Sequence, residues 1–325
     1  MNAPLLDVRD LHVTYHSAQG PVPAVRGVSL QIAAGETLGI AGESGCGKST
    51  MAMSLLKLVA PGTTVTGTVL LDGDDVATMK PGALRAARWT KASVIFQGAQ
   101  HVLNPVRKIG QQIDEAIILH KTGKPGSKHT RVGDLLALVG LPRRRADDYP
   151  HELSGGQKQR VMIAMALACD PLLIIADEPT TALDVMVQAQ VLRLLEVIKR
   201  ERGLSMLFIT HDLSVLSSVA DRLAVMYAGR IVEEGPAKEL LRGSNHPYTR
   251  ALSGAFPTIG DPASRFAPKG LIGDPPDPTD LPSGCSFHPR CPVVADRCPT
   301  VHVELVDVGG DLSRRAACIH VGSGS

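Results

Sequence analysis

The chain has 325 residues, 44% of them hydrophobic, a balance that permits a large buried core and excludes a disordered or fibrous class. Its 34 basic and 32 acidic residues are interspersed and leave a formal net charge of +2, so no whole-chain field points to nucleic acid or an acidic membrane surface. The opening MNAPLLDVRD lacks the basic and apolar blocks of a secretory signal, and no apolar run approaches the roughly 18 residues that cross a bilayer; the chain reads as cytoplasmic.

Strand patterns come first: LLDVRDLHVTY (5–15) and VRGVSLQIAAGETLGIAG (25–42) alternate or carry β-branched residues, with a turn-rich HSAQGPVP between them. A glycine-rich turn after Gly42 leads into STMAMSLLKLV, which reads as a helix. From about 104 the character changes to a helical insert. Val106, Ile109, Ile113, Ala116 and Ile117 form one apolar stripe, and Val132, Leu135, Leu136 and Val139 form another. Strand signals return in PLLIIAD (171–177) and LSMLFITHD (204–212), with the helical ALDVMVQAQVLRLLEVIKRE between them, an alternation that predicts an α/β fold with a mainly parallel sheet. Beyond about 244 prolines cluster, helical periodicity fades, and IGDPPDPTDLPSG reads as an extended linker into a small irregular tail.

GESGCGKST (42–50) fits G-x-x-x-x-G-K-[ST] between a strand and a helix, the context a P-loop requires. Its glycines let backbone N–H groups close on phosphate oxygens, Lys48 would neutralise the outer phosphates, and Ser49 would ligate Mg²⁺. The candidate nucleotide contacts here are Gly42, Glu43, Ser44, Gly45, Cys46, Gly47, Lys48, Ser49 and Thr50. LLIIADEP (172–179) is an apolar strand ending in two carboxylates. Asp177 is positioned for the metal shell and Glu178 for orienting the attacking water. LSGGQKQR (153–160) puts Ser154, Gly155, Gly156 and Gln157 before another helix, a second anion-binding start.

With these motifs in this order, about 240 residues resemble the ATP-binding subunits of ABC transporters. The resemblance implies a P-loop ATPase domain over 1–243 with antiparallel N-terminal strands and a helical insert at about 104–160, followed by an extension over 244–325. It makes Tyr15 the aromatic that stacks on adenine, and Gln97 the link between metal site and insert. Asp184 becomes a dimer contact and His211 a γ-phosphate contact. On their own residues these read as a strand-face aromatic, two solvated loop groups and a capping histidine. Two such subunits would pair head to tail, each P-loop meeting the other chain's signature.

YPHELSGGQKQR, VLNPV and HPYTRAL (246–252) are similar to the oligopeptide and dipeptide importer ATPases, which implies two permease subunits, an extracytoplasmic binding protein, no nucleic acid, and a place on the cytoplasmic face of the inner membrane. Nickel and oligosaccharides are alternative cargoes, and a nucleic-acid-associated ATPase is the rival class. Gly98 and Ala99 depart from the family pattern where the ATPase meets its permeases, and His101 reads as a surface or interface side chain. Cys46 reads as a small filler or a reactive thiol, and Cys169 as packing. Cys285, Cys291, Cys298 and Cys318, spaced C-x5-C-x6-C-x19-C, suit a [4Fe-4S] cluster or zinc, with unligated thiols or a disulfide as further readings. His288, His302 and His320 keep a mixed ligand set open. The resemblance favours the cluster.

Overall fold

A computed structural model describes residues 3–18, 20–98, 102–120, 128–181, 183–255, 271 and 273–321. The expectations placed on Ala99 and His101 lie outside the described residues. Two compact units are each assembled from discontinuous segments: Met1–Leu5, Ile32–Glu36 and Leu71–Leu207 form one, and Leu6–Gln31, Thr37–Leu70 and Phe208–Ser325 the other.

In the second unit the expected N-terminal strands are β1 (Leu6–Ser17) and β2 (Gly20–Ile32). The turn-rich HSAQGPVP is mostly strand, because the Ser17 hydroxyl donates to the Gly20 carbonyl at 2.9 Å and closes the hairpin within a few residues. Strand β4 (Thr64–Leu71) lies on the other side of β1. A second sheet is built on β3 (Thr37–Ala41), every residue of which is buried, as a strand covered on both faces must be. It runs parallel to β9 (Arg222–Tyr227), which turns back antiparallel into β10 (Arg230–Pro236).

The tail departs from expectation in two ways. Pro247–Gly254 is a helix, α9, that begins where helical periodicity fades in the sequence; a proline is accepted at its first turn because that N–H has no intrahelical partner. Strands β11 (Val306–Val308) and β12 (Asp311–Ala316) form a hairpin, and β12 pairs antiparallel with β10, so the tail extends a sheet of the ATPase and is not wholly irregular.

In the first unit β6 (Ala92–Ile95) runs parallel to β7 (Leu173–Asp177). The insert contains α3 (Ile109–His120) and α4 (Lys128–Leu138), which pack together. Ile109, Ile113, Ala116 and Ile117 are buried on one, and Val132, Leu135 and Leu136 on the other, with Val139 just beyond. Val106, expected in this stripe, lies before the helix and is 80% exposed. Asp170 ties the unit together by accepting from Arg131 and Arg202, each at 2.6 Å. The charged PRRRADD is a surface 3₁₀ turn, with Arg143 paired to Asp134 and Arg145 to Asp148. Among the described residues no helix is long and apolar enough to cross a membrane.

Candidate functional site

The P-loop lies between β3 and α1 (Lys48–Ser54) in the second unit. Two glycines there are dictated by space. At Gly47, with φ +103°, a Cβ would stand 2.2 Å from the Ala24 carbonyl oxygen; at Gly42 one would stand 2.3 Å from that of Met226. The hairpin between β9 and β10 braces the loop, Gly229 N–H donating to the Cys46 carbonyl at 3.0 Å. Lys48 is buried, and its ammonium donates to the carbonyls of Gly42 at 2.7 Å and Glu43 at 2.8 Å. Tyr15, half-buried, donates to the Thr50 hydroxyl at 3.2 Å. Burial pushes the Cys46 thiol up despite the nearby Lys48, which disfavours the nucleophilic thiolate.

Glu43 has partners that no local pattern announced. Its carboxylate accepts from Arg290 at 2.7 and 3.0 Å, a two-pronged pair between residues 247 apart in the chain. Its backbone N–H donates to the Tyr248 hydroxyl at 2.9 Å. Tyr248, fully buried, lies against Tyr227 and Phe287 with ring centres 4.6 and 5.3 Å away. The HPYTRAL segment is held in turn by buried Glu233, whose carboxylate accepts the N–H groups of Asn245 at 2.7 Å and His246 at 3.0 Å.

In the first unit Asp177 ends β7 and is buried, while Glu178 follows half-buried with φ +45°, an uncommon conformation for a residue with a side chain. Its Oε2 accepts from the Gln97 amide and from the Thr181 hydroxyl, both at 2.9 Å. Thr181 was not foreseen; a hydroxyl three residues after the carboxylate is the only signal for it.

Ser154 caps α5 (Gly155–Ala166) as a reciprocal box: its oxygen accepts the Gln157 N–H at 3.3 Å, and the Gln157 side chain accepts the Ser154 N–H at 3.0 Å. Asp184 caps α6 (Val185–Arg202), accepting from Val187 N–H at 2.9 Å, a role closer to structure than a solvated loop group. These two helix starts touch, since a Cβ on Gly156 would stand 2.5 Å from a Val187 methyl. His211 is exposed after β8 (Ser205–Ile209), and the cap of the following helix α7 (Leu213–Val219) is its neighbour Asp212.

All four tail cysteines line one small cavity of about 20 Å³, together with His246, His288 and His320. His302 is elsewhere, beside Arg230 and Glu304, which removes it from a mixed ligand set here. Each sulfur faces a backbone N–H: those of Phe287, Val293, Ala295 and His320 serve Cys285, Cys291, Cys298 and Cys318 respectively. Such bonds favour thiolate, although burial pushes the Cys285, Cys291 and Cys318 thiols up. Among the described residues no group of three or more ligand-type side chains stands at the spacing to hold a metal ion, these cysteines included. Four thiols lining one cavity are the donor chemistry of a four-thiolate site. Cys169 is packing, buried with its sulfur 3.5 Å from the Ala116 carbonyl.

Residues 25–181 match the family model described as ABC transporter, and residues 232–298 match the one described as oligopeptide/dipeptide transporter, C-terminal region. Over 317 residues the chain is 43% identical to the dipeptide transport ATP-binding protein DppD of Haemophilus influenzae, covering 97% of this chain and 94% of that protein. It is 45% identical over 322 residues to the oligopeptide transport ATP-binding protein OppD of Mycobacterium tuberculosis, covering 98% of this chain and 52% of that protein. Among solved structures, the dimeric post-hydrolysis state of the ATP-binding cassette MJ0796 bound to ADP and Pi aligns with a TM-score of 0.64 at 30% identity, over 72% of this chain and 99% of that one. On these grounds the chain belongs to the ABC transporter ATPases, in the branch of the oligopeptide and dipeptide transport ATP-binding subunits.

Proposed function

We propose that this ATPase is the motor of a peptide importer, peripheral to the cytoplasmic face of the inner membrane. It would bind ATP where two cassettes meet head to tail, and drive two permease subunits supplied by an extracytoplasmic binding protein. The peptide cargo rests on the transport named for its relatives, and nickel or oligosaccharide on the same scaffold is the alternative. A nucleic-acid role has little support, because Arg290 and Arg315 of the tail are engaged with Glu43 and Glu234.

In this reading the P-loop amides and Lys48 cradle the phosphates, the lysine exchanging its loop carbonyls for phosphate oxygens. Tyr15 stacks on adenine and His211 contacts the γ-phosphate. Ser154, Gly155, Gly156 and Gln157 approach the ATP of the opposite cassette, with Asp184 at the dimer contact. Ser49, Asp177 and Gln97 would hold Mg²⁺, which when bound neutralises charge on the phosphate oxygens. Glu178 orients the attacking water and receives its proton. The observation that carries the reading is the hold of Gln97 and Thr181 on the Glu178 carboxylate, which fixes its direction independently of substrate.

Cys285, Cys291, Cys298 and Cys318 would hold a [4Fe-4S] cluster, with zinc as the alternative; the four sulfurs on one cavity, each with a backbone N–H, support a four-thiolate site. Bound there, the group would staple a proline-rich segment with little core of its own.

Reconstitution with the cognate permeases and binding protein in vesicles tests the function. ATP-dependent uptake of a labelled peptide is the expected result. Uptake of Ni²⁺ or an oligosaccharide without peptide would move the cargo, and absence of any permease complex would sink the importer reading.

A further inference from the structure

The segment between the first two tail cysteines is fastened to the P-loop more firmly than an appended tail requires. Ser286 accepts from Arg26 at 3.1 Å, Phe287 is buried among Tyr227, Tyr248 and His246, and Arg290 reaches Glu43. The Arg290 side chain is only 7% exposed and that of Glu43 20%, so the two-pronged pair is largely shielded from water and removing one partner strands the other charge. Arg290 is itself held in place: it donates to the Gly273 carbonyl at 2.9 Å, and its guanidinium lies 6.0 Å from the centre of the Tyr227 ring. On the same side of the loop, Pro275, Pro276 and Pro278 of the tail share a cavity of about 480 Å³ with Glu43, Ser44 and Cys46.

Every polar group of Glu43 is therefore assigned. Its N–H goes to Tyr248, its carboxylate to Arg290, and its carbonyl oxygen receives the Lys48 ammonium at 2.8 Å. A shift of Glu43 moves an acceptor that sets where Lys48 rests. Resting on the reading that this P-loop binds nucleotide, we propose that Arg290 is a positioning residue for the P-loop, so that the integrity of the segment bracketed by Cys285 and Cys291 is read out as nucleotide affinity. The pair does no chemistry. It holds the loop in the shape the phosphates need, and a tail with a disturbed cysteine site loosens it.

Titration of the full chain with MgATP, alongside steady-state hydrolysis, tests this with R290M, R290K, E43Q and the R290M/E43Q double variant. R290M and E43Q should each weaken MgATP binding about five- to hundredfold. The expected kinetic change is a higher KM with kcat within about twofold, because saturating nucleotide re-forms the loop. The double variant should be no weaker than the worse single, since both remove one interaction, and R290K should recover part of the affinity. Cys291→Ser should weaken binding in the wild-type background and add nothing to R290M. Wild-type-like affinity in R290M, or effects of R290M and E43Q that multiply, would overturn the inference alone. A wild-type chain that binds no MgATP would overturn the nucleotide reading and this inference with it. An additional loss from Cys291→Ser in R290M would show the cysteine site acting by another route.

Discussion

Gln97 and Thr181 donate to the same oxygen of Glu178, each at 2.9 Å, on a residue whose backbone is turned to φ +45° at the end of β7. One donor lies just beyond β6, the strand beside β7, and one in the next turn, so the carboxylate direction is specified from two sides. Glu178→Gln keeps the shape and an acceptor oxygen but removes the charge that takes a proton from water. ATP affinity should stay within about twofold while hydrolysis falls roughly 10²–10⁴-fold, read by nucleotide titration and single-turnover kinetics. Unchanged turnover would remove Glu178 from the chemistry.

Gly47→Ala should abolish nucleotide binding and lower stability by about 1–3 kcal/mol or more, because the new methyl meets the Ala24 carbonyl at 2.2 Å on a backbone with φ +103°. Thermal unfolding and MgATP titration of the variant check this together. Gly45→Ala is the informative control: its φ of +79° is also left-handed, but open space surrounds the position, so its loss should be smaller.

Ser154→Ala removes one half of the capping box on α5 and should cost about 1 kcal/mol of stability. If the signature also contacts nucleotide across a dimer, hydrolysis should fall well beyond what that loss explains. A fall in melting temperature with full turnover would leave Ser154 a cap and nothing more.

His246 is buried and its imidazole is held down to about 4, because burial disfavours the charged ring and its Nδ1 must accept the Tyr248 N–H at 3.1 Å. The unfolded chain takes up a proton near pH 6.5 that the folded chain refuses until about 4. Stability must therefore fall as pH drops through this window, by about 3 kcal/mol in all. Urea unfolding at pH 7 and pH 4.5 measures it. His246→Asn keeps a cap without a titrating ring and should flatten the slope by about one proton.

Anaerobically purified protein should carry iron and acid-labile sulfide in roughly equal amounts if the four cysteines hold a [4Fe-4S] cluster. Zinc without sulfide would assign the alternative, and Cys298→Ser should lower either metal content sharply. The ATPase assignment is independent of this result.

Much of the fold and the nucleotide motifs was legible in the chain because their signals are local. The P-loop of 42–50 is defined by glycine dihedrals and adjacent side chains, the β7 strand by an apolar run closed by Asp177 and Glu178, and the insert by helical stripes. Periodicity misplaced Val106, which precedes its helix, and composition hid α9 and the β11–β12 hairpin, since prolines obscure a short helix and a strand can be recruited by an existing sheet edge. The spacing of four cysteines was enough to suggest a thiolate site, but only the fold brought all four to one cavity and moved His302 away from it. The pairing of Glu43 with Arg290 belongs wholly to tertiary structure: charge complementarity across 247 residues leaves no mark on either neighbourhood, and it exists because β9, β10 and α9 carry Tyr227 and Tyr248 to the back of the loop and leave one shielded position for a guanidinium.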